Sequence, residues 1–288
     1  MGMIIKVNSG IYTVKCGDEI LECRPLGKMR RGQFTPIAGD NCIVEKTEQG
    51  KGLITEILPR KNSLIRPKLA NIDNLLVCFA AANPSPLLNV IDKLTVLAEK
   101  NNIKPIIIIT KADIGADEEI EKYRSIYEKA GYKVIITSVN DKDALKRELR
   151  EELSNKITAV AGCSGVGKST LLNNFLGEDF LVTGEISAKN KRGKNTTTGV
   201  ELFPCCDGYI ADTPGFSSLE IYDTEKEELE TLFPEIKRHI GFCRFVGCSH
   251  ISEPDCPVKE AVYKGEISME RYNSYTEFYN KIKNTKKY

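Results

Sequence analysis

Gly162-Cys163-Ser164-Gly165-Val166-Gly167-Lys168-Ser169 decides how this chain is read. It fits the G-x-x-x-x-G-K-[ST] pattern of a phosphate-binding loop. A β-type run at residues 156–161 precedes it and a helical stretch at 169–176 follows. That is the strand–loop–helix context the motif requires. Glycine tolerates positive φ and close backbone approach, so successive N–H groups can cradle phosphates. Lys168 is placed to reach the outer phosphates and Ser169 to ligate Mg²⁺, with Cys163, Ser164, Val166 and Thr170 completing the loop and the helix start. A helix N-terminus adds a favourable dipole for the anion. The plain alternative is a chance glycine-rich turn. The coincidence of strand, complete pattern and helix argues against it.

Downstream, Asp212-Thr213-Pro214-Gly215 puts a carboxylate at the end of an apolar strand (209–211) and a glycine N–H just beyond. D-x-x-G alone is a common turn. After a phosphate loop it is the second half of a Mg²⁺-nucleotide site. Between the two lies Gly193-Lys194-Asn195-Thr196-Thr197-Thr198-Gly199, a polar loop fitting a switch segment whose Thr closes on Mg²⁺. A threonine-rich strand start is the bland alternative. Upstream, Thr110-Lys111-Ala112-Asp113 approximates the guanine-reading N-K-x-D motif and follows a strand at 105–109. Asp113 can accept from both N1–H and N2–H₂ of guanine, a pair of donors adenine does not offer. Lys111 can lie across the base. Thr110 stands where Asn is usual, and taken alone the stretch reads as readily as a helix cap. Ser138-Val139 follows the next strand, where GTPases contact guanine O6 through the backbone. A base-reading motif placed before the phosphate loop is the motif order of a circularly permuted GTPase domain.

The flanks differ from this centre. Residues 4–7, 11–16, 19–23, 41–45 and 52–57 have β patterning punctuated by Ser9-Gly10, Cys16-Gly17 and Gly39-Asp40. Five short strands predict a partly open β-barrel of the OB type over residues 1–66. Its long connection at 24–35 carries Arg24, Lys28, Arg30 and Arg31. Such a loop is a solvated turn or, since OB loops grip nucleic acid, an RNA contact. Residues 67–222 alternate strands and helices, which predicts a mostly parallel sheet with helices on both faces. Helices are expected at 87–100, 118–130 and 142–153, and strands at 74–81, 104–110 and 133–137. From 223 to 288 helices are expected at 224–232, 257–264 and 268–283.

Between the first two of those C-terminal helices stand Cys243, Cys248, His250 and Cys256. Three thiolates and an imidazole suit tetrahedral Zn²⁺, one per chain, and a full protein shell implies a structural site. The spacing is not that of a zinc finger. Scattered reduced cysteines are the alternative, and His239 is the substitute ligand if His250 fails. Of the ten cysteines, Cys42 and Cys78 sit in strand patterns and read as small core hydrophobes.

Net charge is +1, with 41% hydrophobic and 28% charged residues. Nucleic-acid contact must therefore use local patches. No apolar run is long enough to span a membrane and the N-terminus lacks a signal-peptide core, so a cytoplasmic protein is expected; a monomer is expected as well.

The chain resembles the RsgA family, the ribosome-small-subunit-dependent GTPases. The resemblance rests on the 162–169 loop, on Asp212-Thr213-Pro214-Gly215-Phe216, and on Cys248-Ser249-His250 with Glu253-Pro254-Asp255-Cys256, and it covers nearly the whole chain. It implies a GTPase that binds the small subunit late in assembly, is stimulated by it, and is released on hydrolysis. It also implies that barrel and zinc domain touch ribosomal RNA. It assigns Thr197 as the switch threonine. The family usually has His before the Thr run, proposed to position the attacking water. Here that residue is Asn195, and Phe216 cannot orient water by hydrogen bonding. Either Asn195 takes the role or another group does, including one from the ribosome. Two other functions fit some of the motifs: a GTP-switched RNA-binding module without an assembly role, and a metabolic kinase. Asp113 and the lack of an added acceptor-binding domain weigh against the kinase.

Overall fold

Alternating buried and exposed residues build the N-terminal strands. In the computed structural model, which describes residues 1–27, 35–138, 142–176, 200–212 and 224–284, β1 (Gly2–Asn8), β2 (Ile11–Cys16), β3 (Glu19–Pro25), β4 (Asn41–Glu48) and β5 (Lys51–Ile57) form a barrel. The order is β1-β2-β3-β5-β4, and β1 closes on β4 through Gly2–Cys42 and Met3–Asn41. The expected barrel was partly open; this one is closed, and Gly2 at its seam leaves room for β2, where a Cβ would lie 2.5 Å from Cys16 Sγ. The β3–β5 pairing is parallel, Glu22 opposite Lys51 to Pro25 opposite Ile54. Ile4, Val14, Leu21, Cys23, Cys42 and Ile54 fill the interior. Asp40 is fully buried and held by Arg60, whose Nε donates to Oδ1 at 2.6 Å.

After a two-strand hairpin, β6 (Ser63–Leu64) and β7 (Leu69–Ala70), the α/β pattern begins. Strands β8 (Asn74–Ala80), β9 (Lys104–Thr110), β10 (Lys133–Ile136), β11 (Ile157–Ala161), β12 (Leu202–Cys205) and β13 (Gly208–Asp212) form one sheet, ordered β10-β9-β8-β11-β13-β12. β9–β10 and β11–β13 are parallel, and β12 adds an antiparallel edge. Strands β8 and β11 are buried at every residue, Asn74 and Thr158 included, as mostly apolar strands in a sheet covered on both faces are.

Chain contacts gather into two compact units. The first holds Met1–Leu75, Asp143–Ala161 and the described part of Lys168–Phe216. It contains the barrel, α3 (Lys142–Leu153), β11, α4 (Lys168–Leu176), β12 and β13. Within it Asp73 accepts from Ile157 N–H at 2.9 Å, and Lys6 bonds Glu201 at 2.7 Å. The second unit holds Leu76–Lys142, Gly162–Gly167 and the described part of Ser217–Tyr288. It contains α1 (Leu88–Lys100), α2 (Asp117–Ala130) and the C-terminal helices α5 (Lys226–Leu229), α6 (Pro234–Lys237), α7 (Pro257–Tyr263) and α8 (Met269–Asn284). Phe233, Ile236, Val258, Tyr275 and Phe278 form the core of that helical part, together with Val96 of α1. Among the described residues no helix is long and apolar enough to cross a membrane.

Candidate nucleotide site and metal centre

The phosphate loop leaves β11 at Ala161, and its glycines take the conformations the motif demands. Gly162, Gly165 and Gly167 have φ of 148°, 80° and 91°. A Cβ on Gly162 would lie 2.1 Å from the carbonyl oxygen of Cys78, so no other residue fits without moving β8. Val166 is buried beneath the loop, and Ser164 and Gly165 are exposed. Lys168, Ser169 and Thr170 open α4 directly after it, with Ser169 and Thr170 exposed.

Thr110 explains its own departure from the usual Asn. Its side chain is buried, and Oγ1 lies 2.5 Å from the Val166 carbonyl and 3.1 Å from that of Phe79. The hydroxyl has one proton, and the shorter contact directs it to the phosphate loop. Thr110 therefore ties the base-reading loop to the phosphate loop through its side chain. Lys111 follows at φ 55° and donates from Nζ to Asn83 O at 2.5 Å. Asp113 is exposed on a single 3₁₀ turn, Ala112–Ile114. Ala112 N–H donates to Thr137 O at 3.2 Å, which sets this turn beside half-buried Ser138. The structure thus brings Thr110, Lys111, Asp113, Ser138 and residues 162–167 together around one loop cluster. Asp212 ends β13 opposite Val160. Val139, Asn195, Thr197, Gly215 and Phe216 lie outside the described residues.

The four C-terminal candidates converge. Ligand atoms of Cys243, Cys248, His250 and Cys256 all lie within 4.8 Å of one another. His250 Nδ1 is 3.6 Å from Cys243 Sγ and 3.4 Å from Cys256 Sγ, and Cys248 Sγ is 3.9 Å from Cys256 Sγ. Donors around a tetrahedral zinc with ordinary bond lengths stand about 3.5–3.8 Å apart. The set fits that ion in identity, number and spacing. Burial pushes the Cys243 thiol up to about 12, and neighbouring Cys248 adds to the rise. Like charges crowded this closely repel, and a cation among the sulfurs would relieve that repulsion. His239 is not part of the cluster.

The surroundings hold this loop rigidly. His250 Nε2 lies 2.7 Å from Glu230 Oε2, the carboxylate–histidine arrangement that orients metal ligands. Sequence reading missed Glu230, which sits on the 3₁₀ turn after α5. Tyr272 and Tyr275 of α8 donate to the carbonyls of His250 and Ser249 at 2.7 and 3.0 Å. Glu253 collects the N–H groups of Ser249, Ile251 and Ser252. Burial opposes its charge, but hydrogen bonds from Ser249 and the following N–H groups hold the carboxyl down at about 2. His250 and Asp255 keep positive φ of 60° and 54°, costly for such residues unless fixed by their neighbours.

Of the basic residues assigned to the barrel loop, Arg24 belongs to strand β3, where it is exposed and opposite Leu53. Lys28, Arg30 and Arg31 lie outside the described residues.

A phosphate loop that follows its base-reading loop in sequence, on a sheet of this order, defines a circularly permuted P-loop GTPase. The RsgA GTPase family model matches residues 57–222, and the RsgA N-terminal domain model matches residues 1–54. The chain belongs to the RsgA GTPase family. The small ribosomal subunit biogenesis GTPase RsgA of Halalkalibacterium halodurans is 43% identical over 287 residues, spanning 98% of this chain and 97% of that one. Its namesake in Bacillus subtilis is 43% identical over 293 residues, with 99% and 98% covered. Among solved structures, YloQ, a circularly permuted GTPase, superposes with a TM-score of 0.82 at 38% identity, covering 100% of this chain and 96% of that one. YjeQ from Thermotoga maritima gives 0.83 at 34% identity, with 99% of each covered. A GTPase of this family handles GTP with Mg²⁺.

Proposed function

We propose that this protein binds the small ribosomal subunit during late assembly, hydrolyses GTP when the subunit stimulates it, and is then released. The observation that carries this is the cluster of loops around Thr110, with phosphate-binding and base-reading segments in permuted order, on a chain similar end to end to small-subunit biogenesis GTPases. The chain is organised as a barrel at 1–66, a GTPase domain at 67–222 and a zinc-binding domain at 223–288. It works as a cytoplasmic monomer.

Each residue has a task in this account. The loop N–H groups of Gly162 to Gly167, with Lys168 and Thr170, hold the phosphates. Ser169 and Thr197 supply hydroxyls to Mg²⁺, and that ion neutralises charge on the transferred phosphoryl group. Asp212 and Gly215 flank the γ phosphate. Asp113 and Lys111 read the base, with Ser138 and Val139 at its carbonyl edge and Thr110 bracing them. Asn195 positions the attacking water. Cys243, Cys248, His250 and Cys256 hold one Zn²⁺, which fixes the loop. Arg24, Lys28, Arg30 and Arg31 contact ribosomal RNA phosphates.

Sedimentation with purified small subunits tests the switch. The protein should pellet with subunits in a non-hydrolysable GTP analogue and stay in the supernatant with GDP. Equal pelleting in both states would remove the release step.

A further inference from the structure

The loop around the first two cysteines of the metal cluster exposes side chains that a folded protein ordinarily buries. Phe242 is 77% exposed, Phe245 42% and Val246 106%. Gly241 and Gly247 flank them at φ 95° and 70°. Cys243 and Cys248 belong to the cluster, so Phe245 and Val246 stand between two ligand positions and Phe242 directly precedes the first. The display is therefore pre-organised.

The run itself is cationic. From residue 237 to 252 the chain carries Lys237, Arg238 and Arg244 and no carboxylate, with Glu235 before it and Glu253 and Asp255 after it. The Arg244 guanidinium lies 5.7 Å from the centre of the Phe245 ring. Its contact with Asp255, at 3.4 Å, is between side chains 70% and 74% exposed, so it is screened and easily exchanged. Arg238 donates to the carbonyls of Lys129 and Pro234, which are neutral acceptors. Aromatic faces interleaved with cations on a rigid loop suit splayed bases, which stack on rings while guanidinium groups meet phosphate or lie over the base.

We infer that the 241–247 loop is a stacking platform for unpaired RNA bases, with Phe242 and Phe245 as the faces and Arg244 as the accompanying cation. This deepens the ribosome-binding function and rests on it for the source of the RNA. Paired bases keep both faces in the helix stack, so single-stranded RNA is the ligand and duplex RNA is not. An apolar protein partner is the competing occupant. It would want Phe242, Phe245 and Val246 in a neutral setting, which the cationic run does not provide.

The chain has no tryptophan, so Phe245→Trp introduces a single fluorescent reporter. Mixed-sequence single-stranded RNA should quench its emission, and a blunt hairpin of equal length should not. Phe242→Ala combined with Phe245→Ala should weaken binding of the same oligonucleotide about tenfold or more. Metal content and GTP turnover without ribosomes should stay as in the parent, because both rings are exposed and neither belongs to the metal cluster or the nucleotide-site motifs. Failure of the reporter protein to bind the oligonucleotide, binding without quenching, or unchanged affinity in the double variant would each overturn the assignment. Loss of subunit binding in the double variant without any RNA quenching would also overturn it, in favour of a protein partner. Stimulation of the parent protein by small subunits is read separately. Its absence alongside clear quenching would sink the ribosomal function and leave the platform standing.

Discussion

At Thr110 one atom decides how a motif departure is understood. In sequence, Thr in place of Asn weakens the base-reading motif. In the structure its hydroxyl lies 2.5 Å from Val166 O and braces the phosphate loop from below. Thr110→Val keeps the shape and removes the donor, which leaves a buried carbonyl with a weaker or no partner. Such a loss costs about 1–3 kcal/mol. GTP and GDP affinity should both fall, by about tenfold, because the damage is to the loop that holds their shared phosphates. Titration with fluorescent GDP and GTP analogues checks this; unchanged affinity for both would mean the contact does not support the loop. The Gly162 requirement was legible from the motif alone. The partner Cys78 O was not, since a residue on another strand supplies it.

Among the elements, strands with a clear pattern were legible nearly to the residue: β2, from alternation, and β9, from a continuous apolar run, match the expected bounds. What the sequence hid was short. β6 and β7 have two residues each, and α6 is a single turn begun by Pro234, too brief for any period to emerge. Edge strand β12 was missed because Pro204 interrupts its run, which an edge position tolerates. The metal cluster was legible as a crowd of Cys and His. Its supporting carboxylate was not, because Glu230 stands 20 residues before His250 and meets it only after folding. Glu230→Gln should lower zinc affinity about 10–100-fold while leaving the four ligands in place. Competition with a chromophoric chelator measures it, and wild-type zinc retention would show that Glu230 does not orient the histidine.

On the scale of the molecule, a buried ion cluster joins helices far apart in sequence within the second unit. Arg271 of α8 is 1% exposed and donates to Asp92 at 2.9 Å and Glu235 at 2.6 Å. Its guanidinium sits 4.6 Å from the Phe233 ring centre. Burial pushes the Asp92 carboxyl up, and Arg271 opposes that rise. No sequence pattern announces the cluster, because Asp92 and Arg271 are 179 residues apart. Arg271→Met would strand two buried carboxylates, a loss of about 3–5 kcal/mol. Urea unfolding should shift to lower concentration by that amount, and an unshifted transition would mean the carboxylates escape to solvent or take up protons at little cost.

The permuted motif order also places the D-x-x-G segment directly before the C-terminal helices in sequence, so loss of the γ phosphate has a short covalent path to the segment that carries the Cys/His cluster. That path matters only if the ribosome and the nucleotide site are coupled. GTP turnover measured with and without purified small subunits tests this most directly. The account predicts slow turnover by the protein alone and a rise of at least tenfold that saturates with added subunits. Equal turnover with and without subunits, in protein that binds both GTP and the subunit, would contradict it.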